Sequence, residues 1–457
     1  MTNSRTLAGA GRPSLPLPNR ELLERLGQIA HHLGTRSFLV GGPVRDLILA
    51  RTSPDLDIAV EEGSREFGAA VAKELGGRFV FHSHFLTGTV LFDRHQASSV
   101  KPQAVGHIDI TQTRAETYAM PAVLPTVRPA SIVGDLGRRD FTINSMALEL
   151  TPGSFGEFID PFDGRADVEQ RRVRVLHARS FIDDPTRIFR CIRFANRLGF
   201  RIERRTLDLM RSAIKQRMPA FLTPERVLYE LRLICAEPLV LPMVKALIRE
   251  RVLEAAWRWT PPRGFLTSFG KLASSLGTES GLGHDPKSSG RFRSCPAPDL
   301  LFIYWLSVLP VTDRFPIRKE ERAAAEAVAG FGKLKPKLKR KQRPSDIHKT
   351  LRSMPEPALR ILAVLETKAV STNIRAFLNS YSKVRIATTG ADLRGAGLKP
   401  GPAFREILDE LLFARLDGRI RTVTEERKLL AKLVEKLGTR SKLPKRNRSC
   451  PATTTDV

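Results

Sequence analysis

The segment at residues 38–60, FLVGGPVRDLILARTSPDLDIAV, constrains the fold more than any other part of the sequence. An apolar run leads into Gly41 and Gly42 and then into a short turn. A second apolar run follows, and it holds Asp55 and Asp57. Apolar runs of this length, bounded by Gly and Pro, are typical of buried strands. The segment therefore predicts two sheet strands joined by a short helical turn.

The pattern of helices and strands changes near residue 150. Before it, helical spacing at 21–33 and 65–76 accompanies strand-like runs at 78–83, 87–93 and 106–111, which predicts an α/β domain with a mixed sheet. After it, the apolar spacing is almost entirely helical. The predicted divisions are a flexible N-terminus at 1–20, the α/β domain at 21–150, helical domains at 151–240, 241–345 and 346–437, and a disordered basic tail at 438–457.

The formal net charge of +27 indicates a polyanionic partner. Nucleic acid is the first candidate. An anionic membrane surface is the alternative, although no basic amphipathic helix stands alone to support it. The dense basic run at 333–344 is either a solvated linker or an RNA contact, whereas the polar, Gly/Ser/Pro-rich insertion at 274–298 is predicted to be mobile. The net charge alone does not distinguish an enzyme that acts on nucleic acid from a protein that packages it.

The cysteines and the apolar stretches favour a cytoplasmic protein. The four cysteines lie far apart without metal-ligand spacing, which predicts free thiols in a reducing compartment. The longest apolar stretch, 300–311, is too short to span a bilayer. The opening residues have no apolar signal core and are interpreted as a frayed terminus, with an organelle-targeting peptide as the alternative.

The acidic and glycine residues of the first segment suggest phosphate chemistry. Asp55 and Asp57 alternate on a strand, so both carboxylates point to one face. Carboxylates this close suit a hard divalent cation such as Mg²⁺, which also accepts phosphate oxygens. Gly41 and Gly42 allow close approach of the backbone, so their amides can face a triphosphate. Arg45 follows within reach of phosphate oxygens.

A third acid, Asp109, lies on a later predicted strand. If that strand neighbours the one that holds Asp57, three carboxylates converge. Such a set suits two-metal nucleotidyl transfer, in which one ion activates a 3′-hydroxyl group and the other holds the triphosphate.

Five segments together resemble the bacterial-type tRNA nucleotidyltransferase / poly(A) polymerase family. The first is GG-x-VRD-x8-D-x-D at 41–57, and the others are RRDFTINSMAL (138–148), FIDDPTRIFRCIRFANRLGF (181–200), TPERVLYELRLI (223–234) and TGADLRGAGLKPGPAFREILDELLFARLDGRI (389–420). The resemblance implies a nucleotidyltransferase head at 21–150, a nucleotide-recognition and RNA-binding neck at 151–240, a helical body at 241–345 and a tRNA-binding tail at 346–437.

The resemblance also implies roles for individual residues. Asp184 would accept a hydrogen bond from the exocyclic amine of C or A, and Arg187 would donate to ring acceptors. Asp184 and Pro185 are also a typical N-cap and N1 pair, so a helix is predicted to begin there. The implied catalytic residues are Asp55, Asp57 and Asp109, with Asp55 and Asp57 as metal ligands; the implied nucleotide-binding residues are Gly41, Gly42, Arg45, Arg138, Arg139, Asp140, Asn144, Asp184, Arg187, Arg190 and Arg193. Asp183 stands where the family usually has Glu, and Ala50 where it usually has Gly.

The implied activity is Mg²⁺-dependent, template-independent addition of nucleotides to the 3′ end of tRNA from CTP and ATP. Complete CCA addition is favoured, with CC addition and A addition as partial forms. A poly(A) polymerase is the alternative, and a silent RNA-binding protein is disfavoured because Asp55 and Asp57 are both present. The expected partner is the 3′ end and acceptor arm of tRNA, with no membrane; the sequence does not determine an oligomeric state.

Overall fold

The computed structural model describes residues 19–51, 56–83, 86–92, 107–123, 125–277, 297–310, 315–340 and 342–440. The chain divides into two compact units. The first holds residues 1–266, 277–284 and 312–316, and the second holds 267–276, 285–311 and 317–457. In the part of the chain that is described, no helix has the length and apolar character needed to cross a membrane.

A mixed seven-stranded sheet forms the centre of the first unit, which confirms the predicted α/β class. Its strands are β1 (Ser37–Val40), β2 (Leu56–Val60), β3 (Arg78–His82), β4 (Thr87–Leu91), β5 (His107–Gln112), β8 (Ala147–Glu149) and β9 (Phe158–Ile159). Their order across the sheet is β3-β4-β5-β2-β1-β8-β9, and β2 pairs with β5 in parallel while the other pairs are antiparallel. The sheet thus extends beyond residue 150.

Two small sheets and eleven α-helices complete the described part of the first unit. The small sheets are the hairpin of β6 (Arg114–Thr117) and β7 (Thr126–Pro129), and the parallel pair of β10 (Arg172–Val173) and β11 (Arg201–Ile202). The helices are α1 (Arg20–His32), α2 (Gly42–Ile48), α3 (Ser64–Leu75), α4 (Ile132–Gly137), α5 (Gly164–Glu169), α6 (Ser180–Asp183), α7 (Thr186–Leu198), α8 (Arg204–Lys215), α9 (Pro224–Cys235), α10 (Val240–Arg249) and α11 (Val252–Trp257), with 3₁₀ turns at Thr142–Asn144 and Met218–Phe221.

The apolar residues that predict β1 and β2 are buried. Phe38, Val40 and Ala59 pack with Ile132 and Leu136 of α4 in one core cluster. β1 is buried along its whole length. Gly41 and α2 follow directly after it, so they begin at the end of a buried strand. The short helical turn predicted after the first strand is therefore α2.

The second unit is helical, as predicted. Its helices are α12 (Phe265–Ser275, which begins at the end of the first unit), α13 (Ala297–Leu306), α14 (Lys319–Gly330), α15 (Lys335–Leu338), α16 (Pro344–Leu351), α17 (Glu356–Leu365), α18 (Lys368–Asn379), α19 (Gly390–Gly395), α20 (Pro402–Leu416) and α21 (Val423–Arg440), with 3₁₀ turns at Phe331–Lys333 and Tyr381–Lys383. Leu338, inside the basic run at 333–344, is fully buried in a cluster with Leu362 and Ile374. That run is therefore anchored to the helical core.

Several expectations concern residues outside those described. These are the first eighteen residues, most of the 274–298 insertion and the tail beyond residue 440. The division of the chain into head, neck, body and tail remains a prediction.

Candidate active site

A cavity of about 630 Å³ in the first unit gathers most of the predicted site residues. Twelve of them line it: Gly41, Gly42, Arg45, Asp57, Asp109, Arg138, Arg139, Asp140, Asn144, Asp184, Arg187 and Arg190. They come from the residue after β1, from α2, β2 and β5, from the segment after α4, and from α7 and the turn before it. Asp55 lies outside the described residues, and Arg193 is not among the lining residues.

Asp57 and Asp109 lie side by side on neighbouring strands. β2 and β5 pair in parallel, with Asp57 opposite Asp109 in the register. The strand that holds Asp109 therefore neighbours the strand that holds Asp57, and both side chains share one face of the sheet. On the next strand, Thr89 is in register with Asp109, and its hydroxyl group donates a 2.6 Å hydrogen bond to the Asp109 Oδ1 atom.

The two carboxylates fit a divalent cation, since hard ions such as Mg²⁺ prefer carboxylate oxygens. The Asp109 Oδ2 atom lies 3.5 Å from His107 Nε2. Among the described residues, no three His, Cys, Asp or Glu side chains form a group that could hold a metal. The third carboxylate of the expected set, Asp55, is not described, so the three-carboxylate arrangement remains a prediction.

Gly41 separates β1 from α2 and lies against Arg139. Its φ of +73° favours glycine, and a Cβ atom placed there would lie 2.6 Å from the Arg139 Nη1 atom. Its backbone N–H donates to the Met146 carbonyl group at 3.1 Å, so this amide does not face a phosphate. Gly42 is the first residue of α2, and the first amides of a helix have no partner within the helix. Of the two glycines, Gly42 is therefore the one whose amide can face a phosphate.

A continuous set of hydrogen bonds joins α2 to α7 along the cavity wall. The buried Arg45 side chain donates from Nη1 to Asn144 Oδ1 at 2.7 Å. Asn144 in turn donates from Nδ2 to Asp140 Oδ1 at 3.0 Å. Arg190 completes the set by donating from Nε and Nη2 to Asp140 Oδ2 at 2.9 and 2.7 Å. Four residues predicted from three separate motifs thus form one network.

Asp140 stays ionised in this network. Burial raises the pKa of its carboxyl group, but the charge of Arg190 and the hydrogen bond from Asn144 lower it more, so the pKa lies below its ordinary value. An ionised Asp140 fixes the Arg190 guanidinium beside the cavity.

Asp135 holds the two arginines that precede Asp140. Its fully buried carboxylate accepts from Arg138 at Oδ1 and from Arg139 at Oδ2, at 2.7 and 3.0 Å. Arg138 also donates to Glu116 at 2.7 Å. Burial raises the Asp135 pKa, yet the charges of Arg139 and Arg138 outweigh it, so the pKa is lowered. The sequence analysis missed Asp135 and Glu116, although the i,i+3 and i,i+4 spacing of Asp135 to the arginines was a usable signal.

Asp184 is fixed through one of its two carboxylate oxygens. Oδ1 accepts from the Thr186 backbone N–H at 3.0 Å, from the Thr186 hydroxyl group at 2.6 Å and from Arg226 Nη2 at 2.7 Å. The helix predicted to begin here is α7, but it begins one residue later than predicted: Pro185 is its N-cap and Thr186 its first residue, while Asp184 precedes the cap. No residue that the structure describes donates to Oδ2. Arg226 also donates to the Ala122 carbonyl group at 2.8 Å.

The three regularly spaced arginines of α7 are placed differently from one another. Arg187, 4% exposed, donates to Ser180 Oγ at 2.8 Å and to the Arg138 carbonyl group at 2.7 Å. These two bonds use two of the five N–H donors of the guanidinium group, so three remain for a contact with a base. Arg193, also buried, lies 3.3 Å from Glu237 and 4.0 Å from Glu230. It belongs to the packing of α7 against α9.

Phe194 is a cavity residue that the sequence analysis counted only as part of a motif. The guanidinium carbons of Arg45, Arg190 and Arg193 lie 5.6, 5.4 and 5.1 Å from its ring centroid. Cation–π contacts at these distances are favourable. The ring thus lies beside three like charges. This arrangement could not be predicted from the sequence, because Arg45 is distant from Phe194 in the chain.

Fold and site together define a nucleotide-binding transferase head followed by helical domains. Residues 37–174 match the family described as the poly A polymerase head domain. An A-adding tRNA nucleotidyltransferase of Halalkalibacterium halodurans is 33% identical over 85% of this chain and 86% of its own. An A-adding tRNA nucleotidyltransferase of Geobacter sulfurreducens is 32% identical over 92% of this chain but 48% of its own. The chain belongs to the tRNA nucleotidyltransferase / poly(A) polymerase family.

The solved structures agree with this assignment. A CCA-adding enzyme in an apo form superposes with a TM-score of 0.71 at 26% identity, over 92% of this chain and 95% of that one. Relatives named CC-adding tRNA nucleotidyltransferase or CCA-adding enzyme match 43% to 45% of this chain. The two relatives that match most of this chain in sequence are thus named A-adding enzymes, whereas a solved structure that superposes on it is a CCA-adding enzyme.

Proposed function

We propose that this protein transfers the adenylate of ATP to the 3′ end of a tRNA without a nucleic-acid template. The observation that carries the proposal is the in-register pair of Asp57 and Asp109, which lies in a cavity otherwise rich in fixed guanidinium groups. A carboxylate pair beside guanidinium groups suits transfer of a nucleotide from a triphosphate to a hydroxyl group.

The carboxylates would hold the metal. Asp57 and Asp109, with Asp55 as the expected third ligand, supply oxygen ligands that Mg²⁺ accepts. When bound, divalent ions in such a site activate a 3′-hydroxyl group and neutralise charge on the triphosphate. The family uses divalent metals generally, and two Mg²⁺ ions are part of the proposal.

The arginines would bind the nucleotide. Arg45, Arg139 and Arg190 line the cavity, and each is held by an acidic or amide partner inside the protein. Side chains that are already ordered lose little freedom when a phosphate binds, which favours binding. Because Gly41 has no Cβ atom, the Arg139 side chain can occupy the space beside it.

Asp184 would select the base. Oδ1 is held by Arg226 and Thr186, whereas Oδ2 has no donor among the described residues and Asp184 lines the cavity. An exocyclic amine, which A and C have at the matching edge, can donate to Oδ2. U and G would leave this oxygen without a donor.

A addition is the form of the activity that we favour. The relatives that match most of this chain are named A-adding enzymes, and A addition is one of the three forms that the motifs allow. Complete CCA addition is the second candidate, because the structure resembles a CCA-adding enzyme. A poly(A) polymerase is disfavoured, since the relatives are named for tRNA. The buried free thiol of Cys191 suits a cytoplasmic enzyme.

The test is nucleotide incorporation, with Mg²⁺, on three tRNAs that end before CCA, after C and after CC. Each is offered ATP, CTP or both, beside an unstructured RNA. The expected result is one A on the tRNA that ends in CC and no C on the other two. Ordered C, C and A addition would establish the second candidate. Long A runs on the unstructured RNA, or no incorporation on any substrate, would overturn the proposal.

A further inference from the structure

Tyr229 of α9 is a large aromatic side chain left in solvent. It is 61% exposed, although the residues around it on α9, such as Leu228 and Leu231, are buried in the core. Aromatic rings of this size are normally buried to a large extent. The faces of this ring are therefore accessible to a ligand.

Helix α9 runs beside the α7 residues that line the cavity. Near its start, Arg226 bonds to Asp184, just before α7. One turn later, Glu230 lies near Arg193, and Glu237, just beyond the helix, lies near Arg193 and Arg197. The two helices are therefore aligned in the same direction. Asp184 lines the cavity, so the first turn of α9 lies beside the cavity wall through Arg226.

Tyr229 lies on the solvent-exposed side of α9, one turn after Arg226. Residues three and four apart are neighbours on a helix surface, with Cβ atoms about 5–6 Å apart. Tyr229 is thus next to Arg226, whose guanidinium bonds to the proposed base-selecting carboxylate. Arg232, one turn later, is on the same side of α9. An exposed ring flanked by arginines at the edge of the cavity is the combination that binds single-stranded RNA.

We propose that Tyr229 stacks on a base at the 3′ end of the RNA and so positions the acceptor for reaction. The inference rests on the proposed function, because the RNA end must come to the cavity edge for its hydroxyl group to reach the carboxylate pair. Stacking on a ring is tolerant of base identity, since every base has a π-face. Tyr229 is a positioning residue for the acceptor and makes no contact with ATP.

Two substitutions separate the ring from its hydroxyl group. Tyr229→Phe keeps the aromatic face, and Tyr229→Leu keeps a large apolar side chain without it. Loss of one base stack corresponds to roughly 5- to 150-fold in affinity. Tyr229→Leu is therefore expected to raise KM for a tRNA ending in CC by about tenfold, with KM for ATP unchanged. Tyr229→Phe is expected to behave as the unaltered protein.

Phe221 supplies a matched control, because it is 60% exposed. It ends the 3₁₀ turn that packs against α8 and α11. Phe221→Leu is expected to leave both KM values unchanged. Thermal unfolding of all three variants is expected to match the unaltered protein, since neither ring is part of the core.

A fluorescent acceptor tests stacking directly, without turnover. The probe is a tRNA ending in CC with pyrrolo-cytidine as its last nucleotide, because stacking quenches this base. We expect quenching with the unaltered protein and with Tyr229→Phe, and its loss with Tyr229→Leu. Equal quenching and equal KM for tRNA in Tyr229→Leu would overturn the proposal, as would an equal effect of Phe221→Leu. If the unaltered protein binds this tRNA but incorporates nothing, the proposed function fails instead.

Discussion

The ion pair between Asp140 and Arg190 offers a quantitative test of the network along the cavity wall. Asp140→Asn keeps the shape of the side chain and an oxygen that can accept from Phe141 N–H and from Asn144. It removes the charge that holds Arg190. The substitution therefore removes the ion pair with Arg190 and keeps the hydrogen bond from Asn144.

The structure sets the magnitude. Arg190 donates two charge-assisted hydrogen bonds to Asp140, and removal of one partner of a fully buried pair costs about 3–5 kcal/mol. The Asp140 side chain is 8% exposed but that of Arg190 is 33% exposed, so water solvates the remaining charge in part. We expect a loss of about 2 kcal/mol in the free energy of unfolding, after this reduction for solvent.

A double-mutant cycle of Asp140→Asn and Arg190→Met isolates the pair. Urea unfolding of the four proteins at pH 7 is expected to give a coupling energy of about 2 kcal/mol. The exposed pair of Arg165 and Glu169, each more than half exposed, is the control and is expected to give about 0.5 kcal/mol or less. A coupling energy at Asp140 no larger than that of the control would refute the reasoning.

The pH dependence of this coupling follows from the Asp140 pKa. The pKa in the folded protein lies below its ordinary value, so the unfolded chain takes up the proton first as the pH falls. The stabilisation is therefore complete above about pH 4, the ordinary range of an Asp carboxyl group, and is lost as the pH falls through the folded value. The coupling energy measured at pH 7 is expected to shrink below pH 4.

Three further substitutions test other parts of the site. Asp57→Ala is expected to reduce incorporation by at least about a thousandfold while tRNA binding in a filter assay changes little; lost binding would point to misfolding. Gly41→Ala places a Cβ atom 2.6 Å from Arg139, so it is expected to raise KM for ATP at least tenfold and to lower the free energy of unfolding by about 1–3 kcal/mol. Arg226→Met frees Asp184, so competition between ATP and GTP is expected to show weaker selectivity, and unchanged selectivity would contradict the role given to Asp184.

The local patterns were enough to predict β1 to β5 and α1 to α3, but they did not indicate β6 to β9 or α4. The strand at 56–60, the strand at 107–112 and the short helix after Gly41 all carry their signal within a few residues. The sequence predicted that Asp57 and Asp109 lie side by side only if their strands are neighbours, because sequence alone does not show which strands pair. The sheet order supplied the answer.

The partners of the predicted residues could not be read from the sequence. Arg226 lies 42 positions from Asp184, and Asp140 lies 50 positions from Arg190. Nothing in local spacing couples residues so far apart. The regular spacing of arginines in α7 was misleading in one respect, because it suggested equal roles, whereas Arg193 is held in the packing against α9.

The parallel register of β2 and β5 bears on how this chain can change during evolution. Backbone hydrogen bonds of the sheet set the separation of Asp57 and Asp109, so a change in the length of the chain that connects Leu91 to His107 leaves the separation intact. One residue inserted within β5 before Asp109 has the opposite effect, because side chains alternate between the faces of a strand. It would carry Ile108 into the place of the carboxylate. The active site therefore tolerates insertions between its strands, whereas a single insertion within β5 removes the Asp109 carboxylate from the site.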